Sequence, residues 1–144
     1  MQRNKIRKVL PVARWIHSVD SLRLATALDQ IAAELDCRPQ ILLEVNVSGE
    51  KQKDGFNVGE LRACWADITR LRSIAVVGLM TMAPLCDDPE ASRPVFARLR
   101  NLRQELAAIT SGTELGTAVD GELETNSVRS CPLPHLSMGM TGDF

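Results

Sequence analysis

The chain has 144 residues, 44% of them hydrophobic, with 17 Lys+Arg against 18 Asp+Glu and a formal net charge of −1. That length suits one domain with a real core, and the balanced charge argues against a dedicated nucleic-acid binder, which carries a basic excess. No window approaches the ~18 consecutive apolar residues of a membrane span, and no apolar segment follows the basic start as a signal peptide would require.

The opening run RNKIRK (3–8) is basic but short and has no aromatic stacking residue. It reads as a solvated amphipathic segment, with an anion contact as the lesser alternative. RWIHSV (14–19) reads as a strand. DSLRLATALDQIAAEL (20–35) spaces Leu22, Ala25, Leu28, Ile31, Ala32 and Leu35 as one helical stripe, with Asp20 or Ser21 placed to cap it. ILLEVNVS (41–48) is the clearest strand, bounded by Pro39 and by a Gly/Lys/Asp-rich loop. A second helix fits 60–72, where Leu61, Cys64, Trp65, Ile68 and Leu71 share a stripe. IAVVGLM (74–80) is a third strand. A long helix follows from about Ala91 to Ile109, with Pro94 tolerated in its first turn. Residues 111–134 have no period and read as a long irregular loop. LSMGMTGDF (136–144) then gives a last strand, a tight turn and the opening of a helix.

Strands alternating with helices imply a parallel sheet, either open and doubly wound or a piece of a (β/α)8 barrel. No G-x-G-x-x-G or Walker-type motif supports a nucleotide site. Cys37, Cys64, Cys86 and Cys131 are scattered without a C-x-x-C, so neither zinc nor a redox pair is indicated. Free thiols in a reducing cytoplasm are expected.

In parallel α/β folds the C-terminal strand ends carry the ligand site. Here they bear His17 and Ser18, Asn46 and Ser48, Met80 and Thr81, and Ser137 to Thr141. Period two puts Glu44, Asn46 and Ser48 on one face and Leu43, Val45 and Val47 on the other. A strand buried on both faces would be nearly all apolar. The polar face therefore meets either a cavity or a hydrogen-bonded polar layer inside a barrel. Gly139 allows a close backbone approach, Thr141 suits an N-cap, and Asp143 suits a first helical turn. Such a helix start attracts phosphate, although many strand-to-helix turns bind nothing. His17 reads as a packed, hydrogen-bonded histidine, and Trp15 and Trp65 as core. The methionines at 80, 82, 138 and 140 suit thioether packing against a ring or a core.

RNKIRK, WIHSVDS (15–21), LEVNVSGEKQKDGF (43–56), VVGLMTMAP (76–84) and LSMGMTGDF, in this order and spacing, resemble the pyridoxal phosphate homeostasis protein family (the YggS/PROSC type). Members of that family are similar to the barrel domain of alanine racemase. The resemblance implies a partial (β/α)8 barrel, about strands four to seven of eight, forming one domain over residues 1–144. It implies a non-catalytic, cytoplasmic protein that holds pyridoxal 5′-phosphate (PLP) and has no nucleic-acid or membrane partner. Ser137, Gly139, Met140 and Thr141 match the family's phosphate-binding stretch. Asn46 and Met80 match strand ends lining the cofactor cavity, and Lys53 lies in the family's K-x-G-F loop. The family's Schiff-base lysine belongs upstream of Met1, and its R-x-G strand belongs beyond Phe144. Weak or absent PLP binding by the chain as given is therefore expected. Two alternatives stand beside this reading. One is a racemase-like enzyme fragment, disfavoured because the sequence has no tyrosine. The other is a half-barrel acting only through self-association at open barrel edges.

Overall fold

The computed structural model describes residues 3–49, 54–83, 89–112 and 133–140. The amphipathic start forms a 3-10 turn over Arg3–Lys5 and a short helix α1 (Ile6–Val9). Its charges point outward while Ile6 is fully buried. Arg7 forms an ion pair with Glu34, tying this turn to the end of the next helix. Strand β1 (Trp15–Val19) leads into α2 (Leu22–Glu34). Ser21 caps α2 by accepting a hydrogen bond from the Leu24 amide at 3.4 Å.

Strand β2 (Gln40–Asn46) is followed by a two-residue strand β3 (Phe56–Asn57) and by α3 (Val58–Thr69). Asn57 and Glu60 form a capping box at the start of α3. This fixes the helix start earlier than the apolar stripe indicates, because the cap and not the stripe ends the preceding strand. Strand β3 escapes sequence periodicity because two residues cannot display an alternation. Gly55 immediately before it has φ +111°, and a Cβ there would lie 3.0 Å from the Glu44 carbonyl oxygen. Only glycine allows the loop to fold back this tightly onto β2.

Strand β4 (Ala75–Ala83) runs three residues beyond the predicted end. A 3-10 turn over Pro89–Ser92 precedes α4 (Arg93–Gly112), with Pro94 in its first turn, and β5 (His135–Met140) ends the described fold. Most of the predicted loop 111–134 lies outside the described residues.

The sheet order is β1-β2-β4-β5, with β3 alongside β2, and every pairing is parallel. Ile41, Leu43, Val45 and Leu79 from the sheet share one core with Leu24 and Leu28 of α2, Leu61 and Trp65 of α3, and Leu99 and Leu106 of α4. The described helices thus bury their stripes against the same sheet face. Register shifts in β1 and near Gly78 of β4 change the alternation locally. They let Ile16 and Val19, three residues apart, both enter the core. Trp65 is buried as predicted, and its indole N–H donates to Thr110 Oγ1 at 3.1 Å. Trp15 is a correction: it is 40% exposed and belongs to the opposite sheet face. Its alternation with the buried Ile16 takes it away from the helices.

Among the described residues, no helix is long and apolar enough to cross a membrane, and no group of His, Cys, Asp and Glu could hold a metal ion.

Candidate functional site

The sheet face away from the helices is built by alternation. In β2 it carries the buried Leu42 and the half-buried Glu44 and Asn46. Register then fixes its neighbours. Leu42 pairs with Gly78 and Glu44 with Met80. Gly78, Met80 and Met82 pair in turn with His135, Ser137 and Gly139. In β1 the same face holds Trp15 and His17.

This inner face closes on itself. His17 Nδ1 lies 3.3 Å from Ser137 Oγ, although β1 and β5 are the outermost strands of the four-strand path. In a flat sheet three interstrand spacings would separate them by ~14 Å. The sheet must therefore curve strongly toward this face. One layer lower, Trp15 meets His135 edge-on, with ring centroids 4.9 Å apart and planes at 76°. Trp15 also flanks His17 at 6.0 Å.

Close approach is decisive at two glycines. A Cβ on Gly78 would fall onto the His135 backbone, 2.8 Å from its carbonyl carbon. A Cβ on Gly139 would lie 2.5 Å from Met82 Sδ. The first glycine lets β4 and β5 pair at this point. The second leaves room for a thioether between the strand ends.

The predicted site residues separate into groups. Ser137 and Gly139 lie on the inner face of β5, and Met80 lies beside Ser137 on β4. Met140 pairs with Ala83 at the end of β5. Asn46 ends β2, where its Oδ1 accepts hydrogen bonds from Ser48 Oγ at 3.1 Å and from the Gly49 amide at 2.9 Å. The side chain thereby shapes the loop leaving the strand. Thr141, Asp143 and Lys53 lie outside the described residues. Thr81 is not a rim residue: it is buried toward the helices and donates to the Val45 carbonyl at 2.7 Å. The longer β4 makes this position part of the strand body. His17 has a hydrogen-bonding partner but is exposed rather than packed. Its meeting with Ser137 spans 120 residues of sequence; strand parity signals the shared face but not the contact.

Electrostatically the face is mixed. Burial pushes the Glu44 carboxyl above the usual carboxylate range, and Asp20 and Asp54 add to the effect. A hydroxyl backed by an imidazole, a glycine and two thioethers can receive an anionic group at one end and a flat apolar ring beside it.

The chain carries an alanine racemase N-terminal domain: the model of that family matches residues 2–119. Its parallel alternation of strands and helices matches part of that barrel domain. Within this class it belongs to the pyridoxal phosphate homeostasis protein family. It is 35% identical over 144 residues to the pyridoxal phosphate homeostasis protein of Aquifex aeolicus, covering 100% of this chain and 55% of that one. With the Escherichia coli protein of the same name it shares 37% over 145 residues, covering 100% of this chain and 53% of that one. The structure of PipY from Synechococcus elongatus with PLP bound superposes with a TM-score of 0.69 at 36% identity, covering 75% of this chain and 50% of that one. The chain spans about half the length of the curated relatives it matches.

Proposed function

We propose that this chain supplies one wall of a PLP site and serves PLP homeostasis in the cytoplasm without catalysing a reaction. Residues 1–144 form a single partial-barrel domain in this reading, on strands four to seven of a (β/α)8 plan. The observation that carries it is the approach of His17 to Ser137 across the inner face. Such curvature, with the described helices on the other face, suits a barrel segment rather than a doubly wound sheet.

The residues present fit the phosphate end and one ring face of the cofactor. Ser137 offers a hydroxyl donor, and Gly139, two residues on, makes room for the Met82 thioether on the same face. Met140 and Thr141 continue the same phosphate stretch. Met80, with Met82 on the same face, gives a polarizable wall for the pyridine ring. Asn46 borders the cavity by holding the loop that leaves β2. When bound, PLP supplies an aldehyde that reacts with amines and a ring that withdraws electrons. Among the described residues the lysines are Lys5 and Lys8, both in the N-terminal helical turns and away from the inner face. Lys51 and Lys53 lie outside the described residues, and the contacts assigned here, from Ser137, Gly139 and Met80, are noncovalent.

Equilibrium dialysis of the full chain with PLP and with pyridoxal tests the reading. Weak binding with a preference for PLP is expected, and Ser137→Ala should lower PLP affinity about fivefold to tenfold, as for one lost hydrogen bond. Equal affinity for PLP and pyridoxal would refute the phosphate role. A stoichiometric PLP adduct after borohydride reduction would refute noncovalent holding. The alternative, in which the outer edges of β1 and β5 pair between copies, is separated by sedimentation velocity. It requires a concentration-dependent dimer that forms without PLP.

A further inference from the structure

His17 and Ser137 come from the two outermost strands of the path and meet at 3.3 Å across the inner face. Ser137 follows His135 by two residues on β5, so both point inward, and Trp15 packs against both histidines. The exposed His17 ring therefore has the Trp15 ring at 6.0 Å on one side and the Ser137 hydroxyl at 3.3 Å on another.

The direction of the His17–Ser137 hydrogen bond has a chemical consequence. If Nδ1 accepts, the Ser137 proton points at the imidazole and only lone pairs face an incoming anion. If Nδ1–H donates, the Ser137 oxygen accepts, and its own proton is free to donate onward. Hydrogen bonds in such a chain polarise one another, so the second arrangement strengthens the serine as an anion donor.

We propose that His17 is a positioning residue for the phosphate group: its Nδ1–H donates to Ser137 Oγ and so turns the Ser137 hydroxyl proton toward a phosphate oxygen. The inference rests on the PLP reading above and extends it to a residue on a different strand, 120 positions away. His17 itself need not touch the ligand. It selects the hydroxyl orientation that a phosphate can use, and it gives no advantage to a ligand lacking phosphate.

The test uses the full chain, with PLP and pyridoxal as probes. His17→Phe keeps a ring of similar bulk but has no Nδ1. It should lower PLP affinity about fivefold to tenfold and leave pyridoxal affinity unchanged. His17→Asn places an amide N–H near the position of Nδ1 and should restore PLP affinity to within about twofold of wild type. Long-range proton–nitrogen NMR on the histidine ring should show Nδ1 carrying the proton in the PLP-saturated protein. Three results would overturn the inference: His17→Phe binding PLP like wild type, His17→Phe losing PLP and pyridoxal equally, or an Nδ1 that stays unprotonated with PLP bound. A wild-type chain that does not distinguish PLP from pyridoxal would overturn the proposed function and this inference together. Discrimination retained in His17→Phe would overturn the inference alone.

Discussion

Thr110→Val is the sharpest test of how the long helix is seated. Thr110 Oγ1 accepts from the Trp65 indole at 3.1 Å and donates to the Leu106 carbonyl at 3.0 Å. Trp65 is 2% exposed and Thr110 3% exposed, so water does not replace a lost partner. Valine keeps the shape but leaves the indole N–H buried without an acceptor. An orphaned buried donor costs about 1–3 kcal/mol, and ~2 kcal/mol is the expected loss here. The helix α4 held by this bond packs on β4 and β5, which carry Met80 and Ser137. Urea unfolding followed by far-ultraviolet circular dichroism measures the change, with the m-value expected to stay constant. The same substitution made in a Trp65→Phe background has no indole to orphan and should cost under ~0.5 kcal/mol, giving a coupling of ~1.5 kcal/mol. Equal costs in the two backgrounds would refute the reasoning, because the loss would then come from Thr110 alone.

Two further outcomes are expected. Gly78→Ala should destabilise by about 3 kcal/mol or more, since the new methyl meets the His135 backbone and not a flexible side chain. Hydrogen exchange should show lost protection where β4 pairs with β5, and unchanged protection with wild-type stability would sink the argument. Glu44→Gln should remove a pH-dependent loss of stability. The folded-state pKa of Glu44 is raised, mainly by burial. The unfolded chain therefore releases this proton first as pH rises, and stability falls from the ordinary glutamate value up through the folded one. Glutamine has no such slope and should be the more stable form at neutral pH, by under ~1 kcal/mol because the half-buried group is partly screened. Melting temperatures of both proteins from about pH 4 to 7 check this, and a constant difference across that range would contradict it.

The strand–helix alternation and the principal apolar stripes are legible in the amino-acid order. These depend on local spacing: a 3.6 period in α2, α3 and α4, and a period of two in β2. The same order puts Glu44 and Asn46 on a face opposite Leu43 and Val45, because side-chain alternation needs no partner strand to be read. The capping box at Asn57 and Glu60 is equally local, although it lies before the apolar stripe of the helix it caps. What those faces meet depends on contacts between strands. Trp15 reads as core by composition, yet alternation with the core residue Ile16 turns it toward His135, and the register shift between Ile16 and Val19 brings Val19 into the core as well. Thr81 looked like a strand end until pairing with β5 carried β4 on to Ala83. The contact between His17 and Ser137 depends on the curvature of a four-strand path. That curvature is set by twist, by the bulges and by the close approach that Gly78 permits, and each of these acts between strands and not within one.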